Sequence, residues 1–600
     1  MSENNIHADV NNDKSYEPIT LDPVKLVDSY LTQSSWRSKE NSNVSYNVGG
    51  YNLFASGTIS SAYWLDKVYP PEIRNAHKDA FMHIHDLSQL MGYCAGWSLA
   101  DLIKEGLGSV RDKIDAAPAA HLSVLVNQMV NFVGIMSNEW AGAQAFSSVD
   151  TYLSAFVKAE NLSRKEVKQC LQSLLYGLNF PNRWGSQPPF SNITLDLKVP
   201  EDLAKKHPYV GGVAQEFTFA DCQEEITIID EELFKLLIEG DTKGNAFQYP
   251  IVTINITKDF KWDCEVTKLL FQMTAKTGNP YFANYVYGDL KPSDTRSMCC
   301  RLRLDLSELR RSSSGGVGGA ADKTGSLGVV TLNLPRFAYL SKHDESTFYR
   351  YLDMYMDIAK DSLEIKRKYL DTLMDAGFYP YSKRYLGHFN NHFSTIGLVG
   401  MNEMCENFFE DHSDISTEKG KKFAEDVLDH MRERISQYQV ETKHLYNLEA
   451  TPAESTAYRL AKHDAARYPD IITAGKLPKD VYYTNSCHLP VDFTSDPWTA
   501  IRNQEDLQTK FSGGTVWHCY LGESVDDWTK VRDFVKNVMC NSKLPYITIS
   551  PTYSICPIHG FIKGNHSVCP KCKDEQEAKY SEALKEVEEK IKEIQGGCGC

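Results

Sequence analysis

The stretch YPIVTINIT, residues 249–257, consists of a tyrosine and a proline followed by a short run rich in β-branched side chains. Runs of this length and composition predict a buried β-strand. Two similar runs follow, GVVTLNL at 328–334 and PYITISP at 545–551. Other segments have apolar residues at helical spacing, such as DKVYPPEIRNAHKDAFMHI (66–84) and AHLSVLVNQMVNFVGIM (120–136). This alternation of strands and helices predicts an α/β fold.

The sequence divides into four parts by composition. Residues 1–45 are polar and rich in asparagine and serine, which predicts a flexible N-terminal arm. Residues 46–545 carry the alternating pattern and form the body of the protein. Residues 546–573 contain a cysteine and histidine cluster, and residues 574–600 have the pattern of a charged helix with a short tail.

Composition and charge narrow the class of protein. The 600 residues are 42% hydrophobic and 24% charged, which is typical of globular proteins. A net charge of −15 argues against a nucleic-acid polymer as partner, although a nucleotide pocket needs only local positive charge. No segment is long and apolar enough to cross a membrane, and the first residues lack the features of a signal peptide. We therefore expect a cytoplasmic protein whose cysteines are thiols, metal ligands or redox-active groups.

The segment SMCCRLRLD, residues 297–305, contains the adjacent cysteines Cys299 and Cys300. A free cysteine usually behaves as a small buried hydrophobic residue. Neighbouring residues of a strand point to opposite faces, so at most one of these two thiols faces a given site. These residues taken alone favour two structural cysteines.

The segment CPIHGFIKGNHSVCPKC, residues 556–572, has the spacing of a zinc site. Cys556 and His559 form a C-x-x-H pair, and Cys569 and Cys572 form a C-x-x-C pair. Thiolate and imidazole groups in two such knuckles match the tetrahedral ligand set of a structural zinc ion. His566 is an alternative to His559 as the fourth ligand. The acidic balance of the chain weakens a nucleic-acid-binding use of this cluster.

The end of the chain combines an amphipathic helix with a thiol pair. Apolar residues at helical spacing occupy one face of the segment 574–595, and Gly596 and Gly597 are expected to end the helix. Cys598 and Cys600 follow, separated by one glycine. A thiol pair on such a hinge is able to exchange disulfides with another site. A metal-binding end and a tail without function are the alternatives.

The body resembles the anaerobic, class III ribonucleoside-triphosphate reductases. The resemblance runs from about residue 46 to residue 572. It rests on successive segments that occur in the order of the family: YWLDKVYPPEIRNAHKDAFMHIHDL, YCAGWSLADLI, AGAQAFSSVDTYL, QPPFSNITLDL, SMCCRLRLDL, GVVTLNLPR, FSTIGLVGMNEM, ATPAESTAYRLAKHD, YYTNSCHLPV, FSGGTVWHCYLGE and LPYITISPTYSICPIHG. The resemblance implies a ten-stranded α/β barrel of two antiparallel five-stranded halves, with a loop through its middle.

The resemblance also implies roles for single residues in radical reduction of ribonucleoside triphosphates. Cys300 matches the cysteine at the tip of the central loop that becomes a thiyl radical, and Cys299 is then its structural neighbour. Cys94 matches the thiol that donates reducing equivalents from the opposite face of the ribose. Asn333 matches an amide near the sugar hydroxyls.

Other positions match the substrate pocket of the family. The resemblance implies that His83 and His85 line the pocket region of the family. Without the resemblance, two histidines on a strand are more often buried core residues whose hydrogen bonds are satisfied within the protein. Two segments resemble loops whose backbone N–H groups bind phosphate. Their residues are Asn485, Ser486, Gly513, Gly514 and Thr515. If Cys487 faces Cys94, the two thiols are able to close a disulfide during turnover, which favours a thioredoxin- or glutaredoxin-like reductant over the formate that some members use. Formate stays open as the alternative reductant.

The chain departs from the family pattern near its end. Members carry a glycyl-radical segment R-V-x-G-Y-L after the zinc knuckles, and the printed sequence contains no such segment. The radical initiator is therefore open between a glycyl radical made by a radical S-adenosylmethionine activase and adenosylcobalamin. With signature segments starting near residue 46, we expect no N-terminal ATP-cone.

The resemblance further implies partners, and other functions stay open beside it. Expected partners are ribonucleoside triphosphates, dNTP and ATP effectors, and a second copy of the chain in a homodimer. Alternatives are an inactive relative kept for nucleotide binding, another glycyl-radical-type enzyme on the same barrel, and a zinc-ribbon binding protein.

Overall fold

The computed structural model describes most of the body. The described residues are 21–32, 46–287, 297–298, 302–303, 323–450, 453–475, 481–490, 493–521, 525, 527–550, 553–556 and 560–563. Several predicted site residues lie outside this range, and their roles stay predictions. These are Cys299, Cys300, His559, His566, Cys569, Cys572, Cys598 and Cys600.

The described strands are short, as the sequence runs indicated. In chain order they are β1 (Met82–Ile84), β2 (Cys94–Trp97), β3 (Gln144–Phe146), β4 (Ser191–Leu195), β5 (Tyr209–Val210), β6 (Val213–Ala214), β7 (Ile251–Ile256), β8 (Tyr281–Asn284), β9 (Ser297–Met298), β10 (Leu302–Arg303), β11 (Gly325–Asn333), β12 (His392–Val399), β13 (Leu445–Glu449), β14 (Trp517–Tyr520), β15 (Tyr546–Ser550), β16 (Tyr553–Cys556) and β17 (Gly560–Lys563).

Helices connect most of these strands. In chain order, with one 3-10 helix counted as α9, they are α1 (Pro23–Leu31), α2 (Val48–Tyr63), α3 (Pro71–Lys78), α4 (Leu99–Glu105), α5 (Leu122–Met136), α6 (Val149–Glu160), α7 (Arg164–Asn179), α8 (Glu201–Ala204), α9 (Phe219–Cys222), α10 (Gln223–Glu239), α11 (Glu265–Thr277), α12 (Leu334–Ser341), α13 (Glu345–Asp375), α14 (Pro380–Leu386), α15 (Met401–Phe408), α16 (Glu418–Thr442), α17 (Glu454–Arg467), α18 (Pro497–Gln508) and α19 (Trp528–Asn541). Among the described residues, even the longest helix, α13, lacks the apolar stretch that a membrane span needs.

Ten strands form one mixed sheet in the order β13-β12-β11-β2-β3-β4-β7-β8-β15-β14, and β1 pairs with β11. The neighbours from β2 to β8 are all parallel, as are β11, β12 and β13, and the pair β14 and β15. The strands β2, β3, β4, β7 and β8 form one group of five. The other five, β11 to β15, run antiparallel to this group, as the pairs β11–β2 and β15–β8 show. The prediction of an α/β fold on a ten-stranded sheet is confirmed.

Alternation along the strands gives the sheet one apolar face and one polar face. Apolar residues such as Val252, Ile254, Val330 and Leu332 pack under the helices in two large clusters. The residues between them in sequence face the other way. They include Cys94, Asn192, Thr253, Asn255, Ser326, Thr331, Thr395 and Asn447. We call this second surface the inner face. Its polar side chains make it the part of the sheet suited to chemistry.

The structure differs from the prediction of a flexible arm over residues 1–45. Residues 23–31 form helix α1, because Asp22 caps its first turn by accepting hydrogen bonds from the N–H groups of Val24 and Lys25. The helix buries Leu26 and Tyr30, and the Tyr30 ring stacks on Tyr46 with a centroid distance of 5.3 Å. Part of the arm is therefore docked on the body.

The predicted zinc segment begins with a hairpin. Strands β16 and β17 are antiparallel, and Cys556 lies opposite Gly560. Residues 557–559, which connect the two strands and include His559, lie outside the described residues. Among the described residues, no group of three or more metal-binding side chains is arranged to hold a metal ion.

Candidate active site

Cys94 is the first residue of β2 and lies on the inner face. It is buried, with 1% of its surface exposed, and pairs with Ser326 of β11. The Tyr93 N–H donates to the carbonyl of Ser326 at 3.1 Å, and the Gly96 N–H donates to the carbonyl of Thr324 at 2.8 Å. A side chain at Gly325 would collide with the carbonyl of Cys94, which explains the glycine. The backbone on both sides of this thiol is therefore fixed.

His83 lies on β1, where it pairs with Thr331 of β11, and His85 follows the strand directly. The Nε2 atom of His85 lies 2.7 Å from the Thr331 hydroxyl. The Arg459 guanidinium donates to Nδ1 of His83 at 3.2 Å, because an arginine has no acceptor. Burial, together with nearby positive charge, lowers the pKa of His83 well below its usual value and that of His85 to about 3. Both imidazoles are neutral at pH 7 and are only partly buried.

Sequence reasoning missed two neighbours of these histidines. The Nδ1 atom of His77 accepts a hydrogen bond from the N–H of Ile84 at 3.1 Å, and its ring lies 5.2 Å from that of His83. Arg459 also donates to the carbonyl of His77. Arg459 lies on α17, far along the chain, so no local pattern could have paired it with β1.

Asn333 ends β11 and is completely buried. Its Nδ2 donates to the carbonyl of Ala80 at 2.9 Å and to Oδ2 of Asp464 at 2.8 Å. Both amide hydrogens are used, so only the side-chain oxygen has capacity left for a ligand hydroxyl. The predicted contact of Asn333 with the sugar stays a prediction.

Asp464 is the centre of a buried polar network. It accepts hydrogen bonds from Asn333, from the Tyr483 hydroxyl at 2.7 Å and from the Arg336 guanidinium. Neither Asp464 nor Arg336 has any exposed side-chain surface. Burial raises the pKa of the Asp464 carboxyl, and the attraction of Arg336 opposes that rise. Through Asp464, the network connects Asn333 at the end of β11 to Tyr483, which directly precedes the segment 484–487.

The segment 484–487 carries three predicted site residues. The N–H of Met401 donates to the carbonyl of Ser486 at 3.0 Å. Ser486 has a left-handed backbone with φ of 48°, which is uncommon for a serine. Cys487 is fully buried in the apolar cluster, and burial raises the pKa of its thiol to about 12. Cys94 and Cys487 are both free thiols, and their predicted disulfide stays a prediction.

The segment 512–515 lies along the end of β13. The Gly513 N–H donates to the carbonyl of Leu448 at 2.7 Å, and the Ala450 N–H donates to the carbonyl of Gly514 at 2.7 Å. A Cβ atom at Gly513 would lie 3.0 Å from the Asn447 amide, so the close approach favours glycine. The hydroxyl of Thr515 lies 3.3 Å from Oε1 of Gln508. Because His488 Nε2 lies 2.7 Å from the carbonyl of Val516, the two predicted phosphate-binding segments are neighbours.

Comparisons with known sequences identify the family of this chain. The family model described as anaerobic ribonucleoside-triphosphate reductase matches residues 40–584. The anaerobic ribonucleoside-triphosphate reductase of Haemophilus influenzae is 22% identical over 583 residues, which covers 88% of this chain and 76% of that protein. The enzyme of the same name from Escherichia coli is 23% identical over 516 residues, and the alignment covers 78% of this chain and 67% of that protein.

A solved structure has the same fold. The anaerobic ribonucleotide reductase of Thermotoga maritima, with dATP bound in the specificity site, superposes with a TM-score of 0.71 at 21% identity and covers 91% of each chain. The family match spans most of the sequence, and the strand order agrees with the predicted barrel halves. This chain belongs to the anaerobic ribonucleoside-triphosphate reductases, oxidoreductases that reduce ribonucleoside triphosphates by radical chemistry.

Proposed function

We propose that this chain reduces ribonucleoside triphosphates with the thiols of Cys300 and Cys94 on opposite faces of the ribose and Cys487 as the partner of Cys94. A thiyl radical on Cys300 takes the hydrogen atom from C3′, the 2′-hydroxyl leaves as water, and the same atom is returned after reduction. Cys94 and Cys487 supply two electrons and two protons and become a disulfide. The observation that carries this proposal is the fixed position of Cys94 on the inner face, beside Ser326 and on the same surface as Thr331. Anaerobic assay of dNTP formation tests it.

We infer that nucleotides bind near the segments 484–487 and 512–515. The relative from Thermotoga maritima holds dATP in a specificity site, which supports dNTP or ATP effectors for this chain as well. The proposed substrates are ribonucleoside triphosphates, and a homodimer is the proposed assembly. Family membership supports a glycyl radical made by a radical S-adenosylmethionine activase over adenosylcobalamin.

Each turnover leaves an oxidised thiol pair below the surface of the protein, and a bulky reductant cannot reach buried Cys94 or Cys487. We propose that Cys598 and Cys600 carry electrons from a thioredoxin-like protein to that pair by disulfide exchange. A variant with both Cys598→Ser and Cys600→Ser should then complete about one turnover with the protein reductant, since only the internal thiols remain. Single- and multiple-turnover assays of dNTP formation measure this.

A small dithiol is the control for the tail variant, because it diffuses to the internal pair and should restore multiple turnovers. A variant that loses even the first turnover contradicts the shuttle. Loss of activity on replacing Gly597 or Gly599 by alanine, with both cysteines kept, would point to radical storage in the tail instead.

We further propose a structural zinc ion held by Cys556, His559, Cys569 and Cys572, with His566 as the alternative to His559. The described hairpin of β16 and β17 fits the first knuckle. We expect about one zinc per chain, and we expect Cys569→Ser or Cys572→Ser to release it and increase proteolysis of the C-terminal region, because a structural zinc contributes folding energy. Metal analysis with limited proteolysis measures both effects. Cys540→Ser, which removes an exposed thiol, is the control, and full metal retention in both zinc variants would contradict the site.

A further inference from the structure

Glu403 is a buried acid that contacts the predicted substrate segment without belonging to it. It lies in the first turn of α15 and has 1% of its surface exposed. We propose that Glu403 is a positioning residue, which fixes the backbone of the segment 484–487 in the conformation that binds the nucleotide. This inference rests on the proposed function of that segment.

Both oxygens of the Glu403 carboxylate bind the same residue. Oε2 accepts the backbone N–H of Thr484 at 2.9 Å, and Oε1 accepts the Thr484 hydroxyl at 2.5 Å. Burial raises the pKa of Glu403, and the two hydrogen bonds from Thr484 oppose that rise. The carboxylate accepts both donors in charge-assisted hydrogen bonds. A glutamine of the same shape offers one carbonyl oxygen and one NH2 group, so the Thr484 hydroxyl or N–H loses its acceptor and the remaining bonds are neutral.

The N-terminus of α15 binds the other side of the segment. The Gly400 N–H donates to the carbonyl of Thr484 at 2.8 Å, and the Met401 N–H donates to the carbonyl of Ser486. The Gln504 side chain also donates to the carbonyl of Cys487 at 2.9 Å. Glu403 is the side chain that binds the segment at a backbone N–H, that of Thr484, and a substitution can remove it.

The conformation held in this way is strained. A serine at φ of 48° is in the left-handed region that side chains other than glycine rarely adopt, and it persists only when its surroundings enforce it. Next to it, Oδ1 of Asn485 is buried and accepts no hydrogen bond from the residues that the structure describes. A buried acceptor without a partner is expected to meet a ligand donor. Release of Thr484 would let Ser486 relax and turn Asn485 away from that position.

The test compares Glu403→Gln and Thr484→Val with the conservative variant Thr484→Ser, which keeps the hydroxyl. The matched control is Glu406→Gln, which changes an acid on the same helix whose carboxylate binds Asn402. KM and kcat for a ribonucleoside triphosphate are measured separately. Alkylation of Cys487 by a small thiol reagent is followed by mass spectrometry, with the buried Cys405 as internal reference.

We expect Glu403→Gln and Thr484→Val to raise KM about tenfold, which corresponds to the loss of one hydrogen bond to a charged group, with a smaller change in kcat. Cys487 should be alkylated faster in both variants while Cys405 keeps its rate. Because both changes remove one interaction, the double variant should be no worse than either single variant. Thr484→Ser should raise KM less than Thr484→Val does, and Glu406→Gln should resemble the parent protein.

Unchanged KM together with unchanged Cys487 labelling would overturn the inference. A parallel rise in Cys405 labelling would also overturn it, because that pattern indicates general loosening of the fold. Faster Cys487 labelling with unchanged KM would support the anchoring by Glu403 and overturn the role of the segment in nucleotide binding.

Discussion

Replacing Cys300 by serine is expected to abolish ribonucleotide reduction completely, while Cys299→Ser keeps most of it. A serine O–H bond is stronger than a thiol S–H bond, so an oxygen at this position cannot be converted into the hydrogen-abstracting radical by a stored radical. The loss should lie in kcat, because the substitution changes chemistry and not recognition. Anaerobic assay of dNTP formation measures it, and direct nucleotide binding should survive in both variants.

Cys299→Ser is the matched control, since it changes the neighbouring thiol on the same segment. The opposite pattern, with Cys299→Ser inactive and Cys300→Ser active, would place the radical one residue earlier than the family resemblance indicates. Equal activity in the two variants would contradict a thiyl radical in this segment.

Replacing Asp464 by asparagine is expected to destabilise the protein by about 3 to 5 kcal/mol, the usual effect of removing one partner of a buried ion pair. The Arg336 guanidinium would remain charged with no exposed surface and without its carboxylate. Tyr483 would also lose a charged acceptor for its hydroxyl. The denaturant midpoint of the cooperative unfolding transition measures the change.

Asp426→Asn is the control for this prediction. Asp426 pairs with Lys422 at the surface, where 46% and 69% of the two side chains are exposed, so its loss should change the free energy of unfolding by less than about 1 kcal/mol. If the two variants shift the unfolding midpoint equally, Asp464 does not stabilise the fold through Arg336.

The strands were the most predictable part of the structure. YPIVTINIT contains β7, and its alternation already separates the apolar Val252, Ile254 and Ile256 from the inner Thr253 and Asn255. AHLSVLVNQMVNFVGIM contains α5. In contrast, the helical pattern over residues 66–84 was wrong at its end, because α3 stops at Lys78, Ala80 takes a left-handed backbone with φ of 58°, and β1 follows.

The polar networks were not predictable from the sequence. Asp464 meets Arg336 across 128 residues, and Glu403 meets Thr484 across 81 residues. These contacts depend on how α12, α15 and α17 pack at the end of the sheet, and an isolated acid in a helical segment gives no signal of burial. Asp150 and Asp230 are further acids whose burial the sequence did not indicate. Both are completely buried, and burial raises the pKa of Asp150 to about 8.

The proposed chemistry makes a stoichiometric claim that one experiment tests directly. The activated protein is incubated anaerobically with a ribonucleoside triphosphate and no added reductant or formate, and both dNTP and free thiols are counted, with the tail cysteines replaced by serine. The account predicts about one dNTP per active site, the loss of two thiols for each dNTP, and a disulfide that mass spectrometry assigns to Cys94 and Cys487. Formation of dNTP with both thiols still reduced would contradict it.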